Sequence, residues 1–229
     1  MKKYFVSAVL GFCIALPAVS QAAPPESFEE KLSYSMGFEV GNYFKGAGGD
    51  IQKDFLITGI EDAYNGAEPV LSREEMVAVQ KEFAQKMQAM QQVKLNEMKE
   101  KNLAAGVAFL EENKKKEGVV VTESGLQYKV LKEGKGEKAK ATDTVKVEYV
   151  GTLIDGTEFD STAQHGEPAE FQVDQVIKGW GEALQLMNVG TKLHLVIPSE
   201  LAYGEGGAAP KIQPNSALIF DVELISIEK

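Results

Sequence analysis

Between Pro69 and Gly118 the chain reads VLSREEMVAVQKEFAQKMQAMQQVKLNEMKEKNLAAGVAFLEENKKKE, with no proline and a single glycine, Gly106. Nothing in that stretch turns a backbone round, so it commits residues 72–116 to one helix, about 65 Å long at 1.5 Å per residue. Ser72 and Glu75 stand at its start in capping-box spacing, where hydroxyl and carboxylate satisfy each other's exposed amides. Met76, Val79, Phe83, Met87 and Met90 form an apolar stripe along its first part, and Leu103, Val107 and Leu110 resume one near its end. Between them QQVKLNEMKEKN is polar nearly all round, which is the pattern of a solvated bridge between domains. Gly106 is the position where a bend is expected.

Two shorter helices precede it. In SFEEKLSYSMGFEVGNYFKGAGGD, Leu32, Met36, Val40 and Tyr43 recur at helical spacing, beside a small-residue stripe at Ser33, Gly37 and Gly41. Small residues four apart let helix backbones approach closely, and Glu29, Glu30, Lys31 and Glu39 exclude a membrane version of that packing. DFLITGIEDAYNG reads as the second helix. Three helices, two of them short, enclose little core. The apolar stripes therefore predict a homodimer through this region, with folding back onto the second half of the chain as the alternative.

The first residues, MKKYFVSAVLGFCIALPAVSQAAPP, pair two lysines with an apolar run broken by Pro17 and end on small residues around Gln21. That is the layout of a secretory signal covering residues 1–22, with export to the periplasm as its consequence. Phe12 before Cys13 does not suit a lipoprotein signal, and Cys13 is the only cysteine, so the mature chain needs no disulfide and has no thiol nucleophile. The formal charge is −10, and cleavage removes Lys2 and Lys3 as well. An acidic chain gains nothing from counterion release, which excludes nucleic acid as a natural partner. After cleavage no segment is expected to enter a membrane.

From Gly118 the pattern changes to short alternating runs: GLQYKVLKEG, DTVKVEYVGTLI, AEFQV, KLHLVIPS and ALIFDVELISI. Val145, Val147 and Tyr149 oppose Lys146 and Glu148, and Leu193, Leu195 and Ile197 oppose Lys192 and His194, so each strand has one apolar face. The cover is the helix in GWGEALQLMNVG, ended by Gly190. The expected fold is α+β: a helical region over 23–117, then an antiparallel sheet wrapped on one short helix over 118–229. Trp180, the only tryptophan, begins that helix between Gly179 and Gly181, an odd setting for a residue meant only to fill a core.

The blocks YVGTLIDGTEFDST, AEFQVDQVIKGWGEAL, KLHLVIPSELAYGEGG and IQPNSALIFDVELISI resemble the FK506-binding protein family of peptidyl-prolyl cis-trans isomerases. With the leader and helical half, the chain is similar to its secreted, dimeric macrophage infectivity potentiator class. The resemblance implies a pocket that accepts a proline ring, walled by Tyr149, Phe159, Phe171, Val176, Ile177 and Phe220, with Trp180 as floor and Ile212 among the substrate-binding residues. It implies that Tyr203 donates its hydroxyl to a substrate carbonyl, that Ile177 offers a backbone N–H, and that Asp160 acts electrostatically at the pocket edge. Its partners would be unfolded proline-containing chains and FK506- or rapamycin-type macrolides, with the outer-membrane surface as an alternative location to the open periplasm. Ala208, where many relatives place histidine, and Gln213, in place of a proline, depart from the family pattern on the flap and bear on macrolide affinity and substrate preference.

The residue chemistry suits that task. Isomerising an X-Pro bond crosses a barrier of roughly 18–20 kcal/mol set by amide resonance. No covalent bond forms or breaks, so neither nucleophile, metal nor cofactor is needed. A dry site suffices if it favours the twisted amide over the planar, strongly dipolar one. Duller readings compete: Phe171 and Phe220 as plain core, Asp160 as a turn cap, His165 and His194 as surface residues too far apart for a metal site. A holdase chaperone, suggested by the methionines of the helical half, is the alternative function.

Overall fold

The computed structural model describes residues 24–47 and 51–228; the expected leader, with Cys13, lies outside the described residues. Two compact units divide within one helix, between Met87 and Gln88.

The first unit contains α1 (Phe28–Ala47), α2 (Lys53–Asn65) and the start of α3 (Arg73–Asn113). The capping box at α3 forms: the Ser72 amide donates to Glu75 Oε2 at 2.9 Å, and the Glu75 amide to Ser72 Oγ at 3.2 Å. The same device starts α1 through Ser27 and Glu30, and Gly66 ends α2 in the left-handed region at φ 69°. None of these helices has a core of its own. Leu32, Met36, Val40, Tyr43, Phe55 and Ile60 are all exposed.

The second unit holds the rest of α3 and a seven-stranded, wholly antiparallel sheet. Its strands are β1 (Val119–Val121), β2 (Gln127–Lys132), β3 (Thr144–Leu153), β4 (Glu158–Ser161), β5 (Ala169–Gln172), β6 (Lys192–Ile197) and β7 (Leu218–Glu228). The order is β1-β2-β6-β7-β3-β4, with β5 pairing the other end of β3. Short α4 (Thr162–His165) links β4 towards β5, and α5 (Lys178–Leu186) packs on the sheet. β1 and β4 are not among the runs expected as strands.

The core lies where expected. Val145, Val147, Tyr149, Leu193, Leu195 and Ile197 are buried beneath α5, which contributes Trp180, Ala183, Leu184 and then Met187. Trp180 owes its depth to its neighbours. A Cβ on Gly179 would stand 2.5 Å from Ile197 Cγ2, and one on Gly181 would stand 3.0 Å from the Val173 carbonyl oxygen. The helix stops at Leu186, and Gly190 (φ 90°) serves the turn before β6 instead of ending the helix.

Three details of this unit go beyond what spacing announces. On the outer sheet face Gln127 and its register partner Val196 are buried. Gln127 donates to the Leu110 carbonyl at 3.0 Å and accepts from Asn113 Nδ2 at 3.0 Å, so the end of α3 covers this patch. Leu103, Gly106, Val107 and Leu110 line a small cavity against Pro198 and Ala217, with Leu103 and Val107 still 39% and 52% exposed, while Lys99, Asn102 and Asn113 make the polar contacts beside it. Gly106 does not interrupt the helix, and its missing side chain lets Ala217 approach, with Cβ atoms 3.2 Å apart if one were added.

Candidate active site

Sheet and α5 enclose a cavity of about 320 Å³. β3 supplies Tyr149, β4 supplies Phe159 and Asp160, β5 supplies Phe171, the turn into α5 supplies Gln175, Val176 and Ile177, α5 supplies Trp180, and β7 supplies Phe220. Tyr203 comes from the loop between β6 and β7.

The floor is fixed by rings. Trp180 is 4% exposed and meets Tyr149, Phe171 and Phe220 edge-on, at centroid distances of 5.1, 5.5 and 5.1 Å and interplanar angles of 87°, 83° and 77°. Phe159 stands edge-on to Phe220 at 5.4 Å. Those two rings fit only because β3 carries Gly151 beside them, where a Cβ would lie 2.7 Å from each. Trp180 Nε1 is the one buried side-chain polar atom without a hydrogen-bond partner among the described residues. An unpaired buried donor costs about 1–3 kcal/mol, a cost tolerated here at the base of the pocket.

The polar groups stand at the edge. Tyr149 donates its hydroxyl to Asp160 Oδ2 at 2.6 Å, and His165 Nε2 lies 3.1 Å from Asp160 Oδ1. Partial burial pushes the Asp160 carboxyl up, but the hydrogen bonds from Tyr149 and His165, with the charge of the imidazolium, outweigh it and hold Asp160 below the usual carboxylate range. Burial, then the bond to Asp160, raises the Tyr149 phenol well above the ordinary tyrosine range, so it remains a donor. Tyr203 is 43% exposed, and its hydroxyl has no partner among the described residues. The Ile177 amide likewise donates to no described acceptor.

The pair has a consequence for pH. Because the folded Asp160 carboxyl is more acidic than the unfolded one, its contribution to stability is present above the ordinary carboxylate range and is lost as pH falls through the folded value. Denaturant titrations from about pH 6 to about pH 3 should therefore show a smaller acid-dependent loss in Asp160→Asn than in the parent chain. Equal losses would mean that Asp160 gains nothing from its two partners.

Of the residues expected at the site, Tyr149, Phe159, Asp160, Phe171, Val176, Ile177, Trp180, Tyr203 and Phe220 line this cavity. Ile212 does not. It is buried in the same cluster as Tyr149, Phe159, Trp180 and Phe220, and its amide and carbonyl are bridged to Ala208 within the flap. Two residues at the site are not legible beforehand. Gln175 looks like any polar residue ahead of Val176, and His165 reaches Asp160 across the β4–α4 corner, a contact that neither period 2 nor period 3.6 announces.

Residues 135–225 match the FKBP-type peptidyl-prolyl cis-trans isomerases, and residues 29–130 match the domain amino-terminal to FKBP-type peptidyl-prolyl isomerase. The outer membrane protein MIP of Legionella longbeachae is 45% identical over 228 residues, covering 99% of this chain and 98% of that protein. The chain belongs to the FKBP-type peptidyl-prolyl cis-trans isomerases. FkpA of Aeromonas hydrophila is 44% identical, covering 93% of this chain and 81% of that one. The crystal structure of FkpA from Escherichia coli superposes with a TM-score of 0.74 at 40% identity, covering 89% of this chain and 98% of that one. The FKBP-type chain is thus an isomerase enzyme of the MIP and FkpA class, and the holdase alternative is not favoured.

Proposed function

We propose that this FKBP-type pocket seats the proline ring of an X-Pro segment over Trp180 and lowers the barrier by favouring the twisted amide. The observation that carries this reading is the single buried tryptophan ringed edge-on by Tyr149, Phe171 and Phe220, with Asp160 and Tyr203 beside it. A planar amide is strongly dipolar because of its resonance, and twisting removes much of that charge separation. An apolar cavity therefore penalises the ground state more than the transition state, which is what differential binding requires. Tyr203 donates to one substrate carbonyl and the Ile177 amide to another, and the Asp160 carboxylate acts on the twisted amide through its charge. Macrolides of the FK506 and rapamycin type would occupy the same cavity.

Two further readings accompany it. The exposed stripes of α1 and α2, with the match to the domain amino-terminal to FKBP-type isomerases, support a homodimer through the first unit. The leader pattern and the outer-membrane name of one relative support a periplasmic or outer-membrane-associated enzyme that acts on exported chains during folding. No helix among the described residues is long and apolar enough to cross a membrane.

Since Trp180 is the only tryptophan, a proline-containing peptide or macrolide should shift its emission. The same ligand should inhibit proline-limited refolding with a matching half-saturation concentration. Inhibition without a change in Trp180 emission would place the active pocket elsewhere.

A further inference from the structure

Tyr203 is the least anchored residue of the site, since no described group bonds its hydroxyl and its side chain is partly exposed. A side chain held by nothing is placed by its backbone, and the backbone of residues 199–217 is held from outside the sheet. Asn102, on α3, donates Nδ2 to the Pro214 carbonyl at 2.8 Å and reaches Gln213 Oε1 at 3.3 Å. Asn215 donates its side-chain amide back to the Lys99 carbonyl on α3 at 3.3 Å. The Asn215 backbone amide donates to the Gly204 carbonyl at 2.8 Å, one residue beyond Tyr203. Asn215 is the sole non-glycine with positive φ among the described residues, at 57°, a conformation asparagine tolerates better than most residues. Lys99 Nζ pairs with Glu205 Oε2 at 3.0 Å, and Gly106 packs on Ala217 where the loop re-enters the sheet. From the other side, Lys211 Nζ donates to the Phe159 carbonyl at 2.6 Å, beside Asp160.

We infer that α3 does more than connect: Asn102 and Asn215 are positioning residues that clamp the loop to α3 and so set where Tyr203 stands over the pocket. The inference rests on the reading of Tyr203 as a substrate donor. Its structural basis is a continuous path of hydrogen bonds from α3 through Pro214 and Asn215 to Gly204, and a polar clamp of this kind leaves no apolar stripe by which to read it in advance. The functional isomerase unit then extends into α3, upstream of residue 118.

The test uses the full chain, with Asn102→Ala and Asn215→Gly; glycine keeps the backbone conformation but removes the bond to Lys99. Asn215→Gly loses one hydrogen bond and Asn102→Ala loses two, one of them long, so kcat/KM for an X-Pro peptide should fall about 2- to 10-fold, and the amide of residue 215 should exchange faster by a similar factor. In a Tyr203→Phe background the further loss of kcat/KM should vanish, because a clamp that acts through the hydroxyl has nothing left to position. Unchanged exchange at residue 215, or an equal loss with and without the hydroxyl, overturns the inference. If Tyr203→Phe alone leaves turnover intact, the reading of Tyr203 is what fails. The clamp is then decided by exchange, faster exchange supporting it and unchanged exchange overturning it.

Discussion

Replacing Asp160 by alanine and Tyr203 by phenylalanine in one chain is expected to lower kcat/KM for X-Pro isomerisation by roughly 10- to 100-fold, while the chain still folds. The magnitude follows from the two groups removed: a carboxylate held charged by Tyr149 and His165, and a hydroxyl free to donate. A hydrogen bond to a charged group contributes about 1.5–3 kcal/mol. The aromatic floor is untouched, so substrate should still shift Trp180 emission. Asp160→Ala also leaves the half-buried Tyr149 hydroxyl without its acceptor, a cost of about 1–3 kcal/mol, and Asp160→Asn separates the two effects because it keeps an acceptor but no charge. Loss of activity in both variants assigns the charge to catalysis; loss in alanine alone assigns Asp160 to holding Tyr149. Full acceleration of proline-limited refolding by the double variant would remove both residues from the mechanism.

Charging the exposed stripe of α1 should have an equally large effect on assembly. Met36→Glu with Val40→Glu is expected to convert a dimer into monomers, read by light scattering. The far-ultraviolet helix signal should fall as well, because the first unit has no core of its own. Burying a Met or Val side chain contributes about 1.5–3 kcal/mol. Two such sites in each of two copies amount to at least about 6 kcal/mol, or some four orders of magnitude in the dissociation constant. A monomeric parent chain, or a variant that remains dimeric at micromolar concentration, would sink the proposed interface. Turnover of a short X-Pro peptide should survive the change, since every residue lining the pocket lies in the second unit.

Much of the site could be read in advance, and unevenly. The pocket rings Tyr149, Phe171, Trp180 and Phe220 were legible as aromatic positions on strands and one helix, and the family resemblance assigned them, with Phe159, to a pocket. Ile212 was assigned on the same resemblance and is not among the residues lining the cavity, though it is buried in the same cluster as the pocket rings. His165 reads as a surface residue and is mostly that, but the corner between β4 and α4 brings it against Asp160. Gly106 reads as a weak point in α3 and is a contact point instead, because its reason lies at Ala217, more than a hundred residues away.

The sequence by itself determined whatever depends on neighbours two to four residues apart. Hydrogen bonding along a helix and side-chain alternation along a strand are local, so the capping box at Ser72 and Glu75, the long breaker-free α3 and the buried faces of β3 and β6 could all be read from spacing. The two glycines around Trp180 announced a close approach without saying to what. Only the tertiary structure decided that Gly179 meets Ile197 and Gly181 meets the Val173 carbonyl. It likewise decided that Gly151 makes room for two pocket rings, and that Asn102 and Asn215 tie α3 to the loop of Tyr203. Such contacts join residues that the chain brings together by reversing direction several times, and no period in the sequence records which residues then meet.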